Sequence, residues 1–342
     1  MMLGPYDLPG AYTGDAVDMM REIPDGSIHC CITSPPYWGL RSYLDPDDPD
    51  KAREIGAEAT PDQYVASMVR VFREVRRVLR DDGTCWLNLG DCYAATGKSG
   101  GGRQGEAWER SGAQATGPRG GKWSPAPPGL KPKDLCLIPY RVALALQGDG
   151  WWLRSNIVWA KGLSFCEHYS GSVMPESVRD RPTSAHEAVF LLTKSERYYY
   201  DQDAVREVAI HAGKTVSLGP KSLSVGQAAG AGVAPSGNGL ADSVDVGSHR
   251  NLRNVWAISP RAYTGSHYAV FPPQLVAPMV DAGCPVGGIV LDPFMGSGTT
   301  GQVAEDRGRL WLGFDLDERN AALISKRTAQ TSLLGLVDRE ST

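Results

Sequence analysis

Leu291-Asp292-Pro293-Phe294-Met295-Gly296-Ser297-Gly298-Thr299-Thr300-Gly301 is the stretch on which the fold turns. Gly288 to Leu291 reads as a short apolar strand and Thr299 to Asp306 as a helix. Between them, Gly296 to Gly301 is a literal G-x-G-x-x-G. Glycines let the backbone approach a ligand closely, and the helix start offers unpaired N–H groups. Leu310 to Phe314 reads as the next strand, and Asp315 ends it where a carboxylate can accept from a ribose. A bare G-x-G-x-x-G is a weak signal. Strand, loop, helix, strand and acid in this order point to a nucleoside-containing ligand.

The loop comes late. After it there is room for about one more strand and helix, Glu318 to Thr328 being the helix. A nicotinamide dinucleotide would use such a loop for its pyrophosphate, and a dinucleotide fold begun at residue 288 would be cut short. S-adenosyl-L-methionine has no phosphate and would use the loop for close backbone approach. Either way the missing strands must come from the N-terminal half, so the sheet is permuted. That half has the α/β pattern. Ser27 to Thr33 reads as a strand, and Pro61 opens a helix with Val65, Val69, Phe72, Val75 and Leu79 at helical spacing. Asp81-Asp82-Gly83 is expected to end that helix before a strand from Thr84 to Leu89. Further on, Ile138 to Gln147 and Gln274 to Ala282 read as helices. Trp152 to Lys161 and His186 to Thr193 read as strands, with Arg197 to Tyr200 as a hairpin partner.

The strand from Ser27 runs into Ser34-Pro35-Pro36-Tyr37-Trp38. Two prolines fix two φ angles and remove two backbone donors, and each restricts the residue before it. The result is a stiff hook with a hydroxyl, carbonyls that no helix uses, and an aromatic plane. A rigid acceptor pair beside a ring suits a flat ligand bearing an amino group. In isolation, a strand end with Tyr37 and Trp38 packed on the core is the better reading.

Composition sets bounds. The chain has 342 residues, 42% of them hydrophobic and 22% charged, ordinary for a soluble globular protein. It reads as one large domain, or a core with an insertion. No apolar run approaches the ~20 residues of a membrane span, and no signal peptide is visible. Seven cysteines without a C-x-x-C pair fit a reduced, cytoplasmic chain. Six histidines without H-x-E or H-E-x-x-H spacing give no expectation of a metal. A net charge of −4 argues against bulk electrostatic binding of nucleic acid, though a local basic cleft can sit on an acidic body.

The hook and the glycine loop, in this order, resemble the permuted β group of DNA amino methyltransferases. The family's D/N/S-P-P-Y/F motif is matched by Ser34-Pro35-Pro36-Tyr37, and its F-x-G-x-G motif by Phe294-Met295-Gly296-Ser297-Gly298. Gly14-Asp15, Trp159-Ala160-Lys161, Arg181-Pro182-Thr183, His186-Glu187, Tyr198-Tyr199 and His267 to Pro272 are similar to its other segments. The likeness covers most of the chain outside two loose stretches. It implies a doubly wound, mostly parallel, seven-stranded class I S-adenosyl-L-methionine-dependent methyltransferase fold, circularly permuted, that methylates the exocyclic amine of a base flipped out of double-stranded DNA. The Ser34 hydroxyl and Pro35 carbonyl would accept from that amine, with Pro36 and Tyr37 completing the catalytic hook and Tyr37 stacking on the base. Asp292 would face the methionine amino group, Phe294 would line the pocket, and Gly296, Gly298 and Thr299 would form the loop. Asp315 would hold the ribose, Asp15 would lie near the adenine, and His267 and Phe271 would close the methionine side.

The expected organisation is a catalytic half at 1–92 and 133–205, a basic Gly/Ser/Pro-rich insertion at 93–132, a loose insertion at 206–252, a cofactor half at 253–330 and a tail at 331–342. The second insertion lies where the family keeps target recognition, and Arg250, Arg253 and Arg261 are candidate phosphate contacts. Serine at the first hook position resembles the cytosine-N4 enzymes, with adenine-N6 as the alternative. A dinucleotide-dependent oxidoreductase and a non-catalytic DNA-binding module are the remoter readings. A homodimer, a cognate restriction endonuclease and a phage or restriction–modification origin stay open.

Overall fold

Eight strands build one sheet in this computed structural model, which describes residues 1–39, 44–45, 47–94, 126–173, 175–176, 178–209, 215–217, 243–245, 249–260, 271–325 and 327–328. In chain order they are β1 (Gly10–Thr13), β2 (Ile28–Thr33), β3 (Leu79–Leu89), β4 (Trp152–Ala160), β5 (His186–Thr193), β6 (Val255–Ala257), β7 (Ile289–Asp292) and β8 (Leu310–Asp315). Across the sheet the order is β6-β4-β5-β3-β2-β7-β8-β1. Every pairing is parallel except the two made by β5. The expected doubly wound, mostly parallel sheet is present, with eight strands where seven were expected.

The central strands alternate between two covered faces. Cys31, Cys85, Leu87, Leu291 and Leu312 pack into one core with helices α1 (Ala16–Arg21), α2 (Pro61–Val78) and α3 (Ile138–Gly148). On the other face lie α4 (Pro273–Gly283) and α5 (Thr299–Asp306). There, a Cβ on Gly283 would lie 2.5 Å from Trp86 Nε1 and 2.6 Å from Thr84 Oγ1, so only glycine admits this closeness of helix and sheet. Burial on both faces explains why β2 reads as a continuous apolar run rather than an alternating one.

Helix α2 starts on a capping box between Thr60 and Gln63, with Pro61 at its first position. Its buried stripe is Tyr64, Met68, Val71, Phe72, Val75 and Val78, shifted from the expected one; Val65 and Val69 are only half-buried. The expected turn at Asp81-Asp82-Gly83 is not a turn. The chain passes from α2 straight into β3, Leu79 pairs with Ile28, and a bulge between Ile28 and Cys30 absorbs the extra residues. Arg197 to Tyr200 does not form a hairpin strand. It runs along the start of β3, where the Tyr199 N–H donates to the Asp82 carbonyl and Ser195 Oγ to the Asp81 carbonyl.

Gln202–Arg253 forms a second compact unit. Its described residues hold two short antiparallel ladders, Glu207–Val208 with His249–Arg250 and Thr215–Ser217 with Ser243–Asp245, where the sequence showed only a loose insertion. Among the described residues no helix is long and apolar enough to cross a membrane, and no group of three or more His, Cys, Asp or Glu could hold a metal.

Candidate active site

Strands β2 and β7 are neighbours, Val290 beside Cys30 and Leu291 beside Cys31. From β2 the chain builds the sheet one way, and from β7 the other way. Their carboxyl ends therefore flank a topological switch point, where open α/β sheets bind ligands. The hook leaves β2 at Thr33 and the glycine loop leaves β7 at Asp292. These two end residues bond directly, Thr33 Oγ1 donating to Asp292 Oδ1 at 2.7 Å. One cleft is lined from both sides, by Ser34 and Pro36 of the hook and by Phe294, Gly296, Ser297 and Thr299 of the loop. Asp15, Phe271 and Asp315 also line it. Met295, Leu44, Arg53, Ile55, Val71 and Asn320 add walls that the sequence did not single out.

The glycine loop is held in shape from inside the chain. Gly298 adopts φ +84° as the cap of α5, and a Cβ there would also crowd Ile324 at 3.2 Å. The Gly296 N–H donates to Asp315 Oδ2 at 2.7 Å, while Asp315 Oδ1 accepts from the Asp317 N–H and Asn320 Nδ2, each at 2.9 Å. Burial raises the Asp315 carboxyl above its ordinary range against these three bonds. Asp15 combines two tasks. Its Oδ1 caps α1 through the Val17 and Asp18 N–H groups, and it still lines the cleft. Arg327 donates to Thr299 Oγ1.

Asp292 ends β7 beneath the glycine loop. It is 1% exposed, it is absent from the cleft lining, and its oxygens are spent on Thr33, Thr300 (2.6 Å) and the Phe294 N–H (3.0 Å). Through these bonds it braces the two strand ends. Burial pushes its carboxyl up to about 6 from an ordinary 3.8, against the three hydrogen bonds that favour the charge. A raised carboxyl subtracts stability as pH rises. Between about 3.8 and about 6 the unfolded chain has released this proton and the folded chain has not, so roughly 3 kcal/mol is lost across that window. An asparagine in its place could accept from Thr33 and Phe294 and donate to Thr300, whose hydroxyl can turn. Denaturant melts of Asp292→Asn should therefore gain on the wild type as pH rises from about 4.5 to about 7, and a difference independent of pH would refute the assignment.

Around the hook, the carbonyls divide. That of Pro36 accepts from Tyr64 Oη at 2.9 Å. No described residue donates to the carbonyl of Pro35. Ser34 Oγ donates to Tyr37 Oη at 3.3 Å, and Tyr37 Oη donates to Glu187 Oε2 at 2.6 Å. Lys161 pairs with the other oxygen of Glu187. Asn88, at the end of β3, donates its amide to Ser34 Oγ (3.2 Å), Tyr37 Oη (2.7 Å) and Glu187 Oε2 (2.9 Å). The Tyr37 ring lies against Gly90, where a Cβ would come within 2.5 Å of Cε2. Its plane is thus fixed by a hydrogen bond at one end and backbone beneath. Trp38 and Trp159 belong to the core, buried with their indole N–H groups on the Glu58 and Ile258 carbonyls.

The candidate DNA contacts lie in the second unit. Arg250 and Arg253 both pair with Glu207 Oε2, each at 2.9 Å. Arg261 and His267 lie outside the described residues, as do the basic residues Arg103, Arg110, Arg119 and Lys122.

A permuted sheet whose switch point joins a Pro-Pro hook to a glycine loop defines the class, an S-adenosyl-L-methionine-dependent methyltransferase acting on an amine. The cleft suits that cofactor: one carboxylate at a strand end, an aromatic ring at Phe294, backbone at Gly296, and apolar walls at Ile55 and Val71. The chain belongs to the N6/N4 DNA methylase family, which residues 28–326 match. It is 40% identical over 316 residues to the type II methyltransferase M.Cfr9I of Citrobacter freundii, across 92% of this chain and 86% of that protein. With M.SmaI of Serratia marcescens it shares 39% over 314 residues, 92% of this chain and 88% of the relative. The PvuII DNA methyltransferase, a cytosine-N4-specific enzyme, matches with a TM-score of 0.57 at 18% identity, over 93% of this chain and 85% of its own. A Thermus thermophilus protein of DNA modification methylase type, solved with S-adenosyl-L-methionine, matches at 0.53 and 21%, over 94% and 93%. At these identities the structural likeness is one of fold.

Proposed function

We propose that this chain is a cytosine-N4 DNA methyltransferase of restriction–modification type, with Ser34 and Pro35 as the acceptors of the target amine. The observation that carries this is the Pro35 carbonyl, which no described residue occupies, beside a Ser34 hydroxyl that already has a donor and an acceptor and keeps a lone pair. An exocyclic amine is a poor nucleophile because its lone pair is delocalised into the ring. Two acceptors aimed at its hydrogens draw the nitrogen toward tetrahedral geometry and localise the lone pair. The bound cofactor supplies an electrophilic methyl group; Phe294, Gly296 and Asp315 would hold it in the cleft. Tyr37 offers the base a plane that is already fixed. Because Ser34 is half-buried, the base must leave the duplex to reach it.

Serine at the first hook position supports cytosine, and the cytosine-N4-specific PvuII enzyme shares the fold. Target reading is assigned to the unit Gln202–Arg253, with Arg250 and Arg253 exchanging Glu207 for phosphate. The test is direct: methylate duplex DNA with the purified protein, digest it to nucleosides and weigh them. N4-methylcytosine is expected. N6-methyladenine as the sole product would assign the chain to the adenine enzymes.

A further inference from the structure

A methylated amine carries one proton too many, and the hydrogen bonds around the hook have a direction. Ser34 Oγ donates to Tyr37 Oη, and Tyr37 Oη donates to Glu187 Oε2. Glu187 accepts at both oxygens, the other being paired with Lys161. Asn88 touches all three oxygens of the chain from the side, donating only. Its own Oδ1 is buried without a partner, so this amide gives up a hydrogen bond to keep its NH2 turned toward the three oxygens. The chain starts at the cleft, which Ser34 lines, and ends where Lys161 and Glu187 are 24% and 12% exposed, at the edge of solvent.

We propose that Ser34, Tyr37 and Glu187 form a proton relay that clears the target nitrogen, with Asn88 and Lys161 as positioning residues. This rests on the reading that Ser34 accepts from the target amine. As the new N–C bond forms, the bond from the methyl group to the cofactor sulfur would break with its electron pair left on a neutral thioether, and the positive charge moves to the nitrogen. One of its protons passes to Ser34 Oγ, the Ser34 hydroxyl proton passes to Tyr37 Oη, and the Tyr37 proton passes to Glu187 Oε2. Both hydroxyls end neutral, the methylated amine is neutral, and Glu187 is left as the protonated acid beside Lys161, to exchange with water. The relay gives the Tyr37 hydroxyl a task that a stacking ring does not need.

The test compares the wild type with Tyr37→Phe, Glu187→Gln, the double variant and Ser34→Ala. Single-turnover methyl transfer on duplex DNA is followed from about pH 6 to about pH 9, with binding of S-adenosyl-L-methionine and thermal unfolding measured alongside. The relay expects Tyr37→Phe and Glu187→Gln each to slow transfer about 10–100-fold. It expects the double variant to be no slower than the slower single, since both break one path. The deficit should shrink toward high pH, where hydroxide can take the proton, and cofactor affinity should stay unchanged. Tyr37→Phe at the wild-type rate, with Ser34→Ala inactive, overturns the relay alone. Multiplying losses in the double variant also overturn it. Ser34→Ala at the wild-type rate overturns the relay together with the reading it rests on. Tyr37→Phe keeps the ring over Gly90, so a folding defect in Glu187→Gln would not leave the question open.

Discussion

Ser34→Ala should lower single-turnover methyl transfer by about 10²–10³-fold while leaving the fold and cofactor affinity near wild type. The size follows from what the hydroxyl does. A preorganised acceptor or donor aimed at charge that develops in the transition state contributes about 3–4 kcal/mol. The small structural cost follows from its present bonds. Ser34 is half-buried, and its contacts to Tyr37 and Asn88 are long, 3.3 and 3.2 Å. Losing them costs about 1 kcal/mol or less. The Tyr37–Glu187 bond at 2.6 Å does not pass through Ser34, so the ring plane survives the substitution. The Pro35 carbonyl also survives, and residual activity should reflect that one acceptor with proximity. A variant that keeps more than half of the wild-type rate, with normal melting, would remove Ser34 from the chemistry.

Both halves of the site were legible because each is local. The rigidity of Ser34-Pro35-Pro36 and the freedom of Gly296 and Gly298 are properties of consecutive residues, and they survive any tertiary context. Their meeting was legible from order alone, since a loop so late in the chain needs the hook's strands to complete its sheet. The strand His186–Thr193 and the helix Thr299–Asp306 were placed to the residue, the strand because Ala188 to Leu192 is a continuous apolar run and the helix because the glycine loop marks its start. What failed was non-local. Asn88 looks like a polar interruption in Cys85-Trp86-Leu87-Asn88-Leu89, and nothing near it in sequence reveals three oxygens from two other segments. The turn at Asp81-Asp82-Gly83 had the right composition but became part of a bulge, because Leu79 before it and Thr84 after it both pair with β2. The stripe of α2 shifted because Tyr64 and Met68, an amphipathic and a flexible residue, are the ones that reach the core. Arg250 and Arg253 read as free cations because Glu207 is remote in sequence and adjacent in the ladder.

Asp292 and Asp315 look alike in sequence, each an aspartate at the end of a parallel strand beside the glycine loop, yet their amide variants should behave in opposite ways. At Asp292 two of three partners are threonine hydroxyls, which can donate or accept. Asparagine is satisfied there, and Asp292→Asn should keep cofactor affinity within a few-fold. At Asp315 the partners include two backbone N–H groups on opposite oxygens, Gly296 on Oδ2 and Asp317 on Oδ1. These can only donate. Whichever way the amide of Asp315→Asn turns, its NH2 faces one of them, so no rotamer restores both bonds. An unpaired buried donor costs about 1–3 kcal/mol. If the lost partner is Gly296, the loop that lines the cleft is released from its φ of +53°. Asp315→Asn should therefore lose about 10–100-fold in affinity for S-adenosyl-L-methionine, by the same free energy, and melt below the wild type. Calorimetric titration of both variants decides the matter. Equal affinities for Asp292→Asn and Asp315→Asn would mean that acceptor-only geometry at the end of β8 is not what sets the loop.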